Sequence, residues 1–166
     1  SCEVVAPICL DAKSDFEWRQ LSAQVLHYRR ARFCANTNIM LESAIEREPQ
    51  SPLAGAYRLW MADNLVHDGS LHDALSVYDK SADEFAANES LVKTIDGVGG
   101  ALFKKAQTAA LIKDQAVAVE TYQTLARHLP DDPDPLFQAG LLMEAAGDRD
   151  RAAEFYKDVA SKNPSG

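Results

Sequence analysis

Nothing in the 166 residues approaches the ~20 consecutive apolar residues that a helix needs to cross a bilayer. The first residue is Ser1, and no basic-then-apolar leader follows it. Removal of a leader, or excision from a longer chain, would leave such a start. Basic residues are scarce: 17 Lys and Arg stand against 25 Asp and Glu, for a formal net charge of -8. Nucleic-acid binding depends on clustered Lys and Arg, so that balance argues against it. The one basic cluster, Arg29, Arg30 and Arg32 beside His27, reads as a solvated helix face.

Cysteine is limited to Cys2, Cys9 and Cys34, with no Cys-x-x-Cys pair, so neither a zinc ribbon nor a thioredoxin-type redox site is expected. Buried or unpaired thiols are the default for all three. A Cys2–Cys9 bridge in an oxidising compartment and a lipid-carrying Cys2 at the head of a mature lipoprotein are the other readings. Placement is therefore cytoplasmic by default, and periplasmic or lipid-anchored if Cys2 is a lipoprotein cysteine. Catalytic signatures are missing too. Gly97-Val98-Gly99-Gly100 precedes Lys104, but a phosphate-binding loop needs Gly directly before Lys and Ser or Thr after it. There is no Gly-x-Ser-x-Gly and no His-Glu-x-x-His. His67 and His72 lie beside Asp68 and Asp73 without the i, i+4 spacing that puts two metal ligands on one helix face, so they read as turn-surface side chains. We expect no enzyme, no cofactor and no metal.

What the sequence has is enough apolar content for a core, at 46%, and a repeat. Ala118, Tyr122, Leu125, Ala126 and Pro130 recur as Ala152, Tyr156, Val159, Ala160 and Pro164, each pair 34 residues apart. The same offset relates Leu102 to Leu136 and Ala106 to Gly140. Helices that cross closely need Ala or Gly at the crossing, which Ala106, Gly140, Ala118 and Ala152 supply. Tyr122 and Tyr156 are large enough to fill the space between one hairpin and the next. Pro130 and Pro164 end helices, and Gly147-Asp148 marks a turn. A third copy, Ala62, Gly69, Ala74 and Tyr78, lies upstream, with 44 residues rather than 34 from Ala74 to Ala118. The ten extra residues fall near 88–93 and are expected to extend the next first helix, from about 89 to 111, with a break at Asp96-Gly97 as the alternative. The helically periodic segments 14–33 and 37–48 form a degenerate first hairpin, as terminal repeats are usually atypical.

The pattern resembles the tetratricopeptide repeat family. The best stretch is Pro135-Leu136-Phe137-Gln138-Ala139-Gly140-Leu141-Leu142 followed by Gly147-Asp148-Arg149-Asp150-Arg151-Ala152-Ala153-Glu154-Phe155-Tyr156. The resemblance is strongest over 99–164, then over 53–85, then over 15–49. It implies an all-α chain, a right-handed α-solenoid of about seven or eight helices in antiparallel hairpins. The expected hairpins are 14–49, 53–85, 89–130 and 133–164, preceded by an irregular arm at 1–13. It also implies a concave groove that binds peptides or whole partner proteins. The family members that hold chaperone C-termini use a carboxylate clamp of Lys, Asn and Arg. The matching positions here are Leu59, Trp60, Asp63, Lys104, Asp134 and Gln138. Only Lys104 has the right charge, so that type of binding is not expected.

In such stacks the first helix of each hairpin faces the groove, and i, i+3, i+4 spacing sets the stripe. The expected groove residues are Leu59, Trp60 and Asp63, then Phe103, Lys104 and Gln107, then Phe137, Gln138 and Leu141, with Val66, Ala110 and Glu144 continuing the rows. Leu59, Phe103, Phe137 and Leu141 would form an apolar ribbon suited to an amphipathic helix or an apolar peptide. The other reading is that a neighbouring segment, such as residues 1–13, covers it, since large exposed apolar patches are unusual on a free monomer. Without a capping helix after Pro164, the outer face of the last helix would be left bare, which allows a homo-oligomer through it. The expected function is a protein-interaction scaffold. An envelope lipoprotein within an assembly and a regulatory domain of a larger protein are the alternatives.

Overall fold

A computed structural model describes residues 34–87 and 97–162. The arm at 1–13, the helix expected over 14–33, the inserted segment near 88–93 and Pro164 lie outside the described residues. All the regular structure among the described residues is helical, in seven helices: α1 (Cys34–Arg47), α2 (Ala54–His67), α3 (Leu71–Ala87), α4 (Gly97–Leu111), α5 (Gln115–His128), α6 (Asp134–Ala145) and α7 (Arg149–Lys162). The chain divides into two compact units, residues 1–97 and 98–166.

The turns inside the three described hairpins share one design. Gly69, Lys113 and Gly147 have φ of 83°, 62° and 82°. In each turn the next residue's amide donates to a carbonyl five residues back: Ser70 to Leu65, Asp114 to Ala109 and Asp148 to Met143, at 2.9–3.0 Å. This satisfies carbonyls that the ending helix leaves unpaired. The residue that accomplishes this then starts the next helix. Asp114 Oδ1 accepts from the Val117 amide and Asp148 Oδ1 from the Arg151 amide, both at 3.2 Å. A short oxygen-bearing side chain at that position caps the first turn. Glycine is free to take positive φ, whereas Lys113 does so at a steric cost.

In the first unit α2 packs on both α1 and α3. Ten of its residues, from Ala54 to Asn64, are buried. The sequence Ala54-Gly55-Ala56-Tyr57-Arg58-Leu59-Trp60-Met61-Ala62 is apolar nearly all round, which is the pattern of an enclosed helix rather than of one with a single buried stripe. Gly55 and Gly97 both lie against the ring of Phe85, so close that a Cβ would stand 3.0 Å and 2.8 Å from it. The Ser81 hydroxyl donates to the Gly55 carbonyl at 2.7 Å. Asn64 Nδ2 donates to Asn38 Oδ1 at 2.8 Å, and Asn38 Nδ2 donates to the Met61 carbonyl, stitching α1 to α2. Arg58 pairs with Glu84 of α3 and reaches Glu42 of α1.

In the second unit the small residues sit where the repeat requires them. Ala106, Gly140, Ala118 and Ala152 are all buried, as are Ala62 and Ala74 at the matching positions of the first unit. α5 packs on α6, and α6 on α7. Lys162 Nζ donates to the Pro130 carbonyl at 2.7 Å, tying α7 back to the loop before α6. α5 ends at His128, two residues before Pro130, as expected of a residue that cannot continue a helix. The face that α7 turns to solvent carries Arg149, Arg151, Glu154, Lys157 and Asp158.

Candidate functional site

The matching positions of the three hairpins carry one tyrosine and three different surroundings. Tyr78, Tyr122 and Tyr156 occupy the same place in each second helix. In the first unit the Tyr78 hydroxyl donates to Asp63 Oδ1 at 2.7 Å, and both groups are buried. In the second unit Tyr122 lies edge-on to Phe103, with ring centroids 6.1 Å apart at 68°. Tyr156 meets Phe137 at 5.8 Å and 43°, and its hydroxyl donates to Glu144 Oε2 at 2.8 Å. Each tyrosine therefore packs first against the partner helix of its own hairpin. Tyr122 in addition faces the following hairpin, as the repeat led us to expect of all such tyrosines.

That second contact helps to enclose an open cavity of about 560 Å³. Gln107, Ala110 and Leu111 of α4 line it, with Tyr122 of α5 and Gln138, Leu141 and Leu142 of α6. No charged side chain is among them. Large apolar side chains stand exposed on the same two helices: Phe103 is 36% exposed, Leu111 67%, Phe137 42% and Leu141 40%. Burial raises the pKa of Tyr122 above the usual tyrosine value. Tyr156 is raised as well, by partial burial first, then by its hydrogen bond to Glu144 and that carboxylate's charge. Both phenols therefore stay protonated at neutral pH.

The structure thus brings Gln107, Gln138 and Leu141 to one cavity, with Phe103 and Phe137 on the same helices and Lys104 half-exposed on α4. It does not leave Leu59, Trp60 and Asp63 open. They are 7%, 2% and 5% exposed, because α2 is enclosed between α1 and α3 and Asp63 is held by Tyr78. Leu111, Tyr122 and Leu142 were not among the residues expected at the groove. Leu111 could have been found from its i+4 relation to Gln107. Tyr122 was masked by its packing role. Among the described residues no three His, Cys, Asp or Glu side chains are grouped to hold a metal ion, and no helix is long and apolar enough to cross a membrane.

Residues 136–166 match the tetratricopeptide repeat model. The structure is similar to that of a tetratricopeptide repeat protein from Parabacteroides merdae ATCC 43184, with a TM-score of 0.66 and 17% identity, covering 92% of this chain and 56% of that one. The chain thus spans little more than half the length of that relative. It is also similar to MamA, with a TM-score of 0.55 at 16% identity over 83% of this chain and 73% of that one. MamA of MSR-1 gives 0.55 at 15% identity over 90% and 79%. None of the curated proteins matches the chain in sequence. At such identities the likeness speaks for the fold alone. The match over 136–166 marks that stretch as a tetratricopeptide repeat, and the likeness gives the described residues the all-α helix-hairpin fold of tetratricopeptide repeat proteins.

Proposed function

We propose that the chain is a protein-interaction module and that the cavity between α4, α5 and α6 holds an apolar segment of its partner. One observation carries this reading. Leu111 and Leu141 are exposed and line an uncharged cavity, and Phe103 and Phe137 are exposed on the same two helices, α4 and α6. Large aromatic and aliphatic side chains at the centre of a concave surface supply most of the affinity in protein complexes. Gln107 and Gln138 add amide donors and acceptors that orient a bound segment. Leu59, Trp60 and Asp63 take no part in the proposed surface, since their burial serves the first unit's core.

A photo-crosslinking amino acid placed at position 141 tests this in the organism that makes the protein, with position 153 on the exposed side of α7 as the control. Crosslinks to a discrete protein from 141 and none from 153 are expected. Equal crosslinking from both positions, or none from 141, would contradict the reading.

A further inference from the structure

The three matching tyrosines differ in what their hydroxyls find. The Tyr78 hydroxyl donates to Asp63, 15 residues back on α2. The Tyr156 hydroxyl donates to Glu144, 12 residues back on α6. The α4 positions that match Asp63 and Glu144 hold Gln107 and Ala110, so this hairpin has a carboxylate at neither place. Among the described residues the Tyr122 hydroxyl makes no hydrogen bond.

That tyrosine is also the one of the three that lines the cavity, and only 4% of its surface is exposed. Gln107 and Ala110, which stand where the other two hairpins place their acceptors, line the same cavity. Burial keeps the phenol protonated at neutral pH, so it is a donor. A donor held this far from water without an acceptor costs free energy, and an acceptor brought into the cavity removes that cost.

The chemistry of the cavity narrows what the acceptor is. No charged side chain lines it, so a carboxylate there would lose its water with no cation to meet it. A peptide carbonyl is neutral. Inside a helix that carbonyl is already bonded four residues on, whereas in an extended segment it is available. Gln107 and Gln138 each carry an amide donor and acceptor, the groups that pair with the N–H and C=O of an extended backbone. Resting on the reading of the cavity given above, we infer that the occupant is an extended apolar peptide segment, and that one of its backbone carbonyls accepts the Tyr122 hydroxyl. The occupant thereby supplies what Asp63 and Glu144 supply in the other two hairpins. Leu111 and Leu141 take its apolar side chains.

The test pans the full chain against a random linear peptide library and measures a synthetic peptide made from the enriched sequences. Those sequences should be apolar with no required charge. Tyr122→Phe keeps the ring against Phe103 and removes only the hydroxyl. It should weaken binding about three- to tenfold, the range of one hydrogen bond. Its thermal midpoint should hold, whereas Tyr78→Phe, which removes a buried bond to Asp63, should lower it. Peptides carrying an ester in place of one backbone amide have a weaker carbonyl acceptor at that point. One such replacement should weaken binding to the parent chain but not to Tyr122→Phe, and that coupling identifies the carbonyl. Leu141→Asp should abolish binding. Tyr122→Phe binding as tightly as the parent while Leu141→Asp fails would overturn this inference and leave the cavity reading standing. So would a peptide that loses its dependence on Tyr122 when an Asp or Glu is neutralised, or one that binds as a helix. Binding indifferent to Leu141→Asp, or no enrichment at all, would overturn both.

Discussion

The hairpin α2–α3 and the hairpin α6–α7 are built on the same register and put it to opposite uses. In both, a small residue marks the crossing, a positive-φ glycine makes the turn and a tyrosine fills the second helix. In α2–α3 the position three residues after Trp60 is Asp63, buried and bonded to Tyr78. The matching position in α6 is Leu141, which is solvent-exposed at the cavity. A polar residue is inside and an apolar one outside, the reverse of what solvation alone would favour. The first is satisfied by a buried hydrogen bond. The second has no such compensation among the described residues, which is why we assign it to a partner.

The largest expected effect separates core from surface within this pair. Phe85→Ala should cost about 3–5 kcal/mol, because the ring is fully buried against Gly55 and Gly97. Phe137→Ala should cost about 1 kcal/mol or less, as a half-exposed ring leaves little cavity. Denaturant titration of each variant checks the contrast. Similar losses from the two would break it.

A reciprocal exchange sharpens it. Asp63→Leu should cost about 1–3 kcal/mol, by removing the carboxylate that accepts the Tyr78 hydroxyl in the core. Leu141→Asp should change stability by less than about 0.5 kcal/mol while removing peptide binding. Equilibrium unfolding, read beside a binding assay, distinguishes the two.

The turns give a smaller comparison. Gly147→Ala should cost about 1 kcal/mol, since the new Cβ meets the steric penalty of positive φ although nothing else crowds it. Lys113→Gly should stabilise by about 0.5–1 kcal/mol through relief of the same penalty, less the added freedom of the unfolded chain. Paired thermal melts should move in opposite directions.

The smallest effect concerns pH. Tyr122 and Tyr156 have raised folded pKa values, so the stability they contribute is fully present below the unfolded tyrosine value of about 10. It is lost as pH rises through the folded values. Tyrosinate absorbance should show Tyr122 and Tyr156 ionising late, and Tyr156→Phe should reduce the late-ionising signal by one residue.

Much of the fold was legible because it rests on a few sterically demanding positions. Ala106, Gly140, Ala118 and Ala152 are small where helices cross, and Gly69 and Gly147 take the positive φ that the turns require. Lys113 was not legible as a turn residue, because its type does not advertise a left-handed backbone. The cavity's lining was legible in part. Gln107, Gln138 and Leu141, which the stripe rule grouped from helical geometry alone, line one cavity. The rule failed for Leu59, Trp60 and Asp63 because it takes one face to be open, while α2 is apolar nearly all round and enclosed by both neighbouring helices. That all-round pattern was present in the sequence and was the better guide.

The central claim is that the second unit's cavity, and not the first unit's matching stripe, receives the partner. Amide chemical-shift mapping of the full chain during titration with a library-selected peptide tests it most directly. The account predicts that the largest shifts fall on Phe103, Gln107, Leu111, Gln138 and Leu141, with Leu59, Trp60 and Asp63 unmoved. Shifts centred on α2, with those of α4 and α6 unchanged, would contradict it.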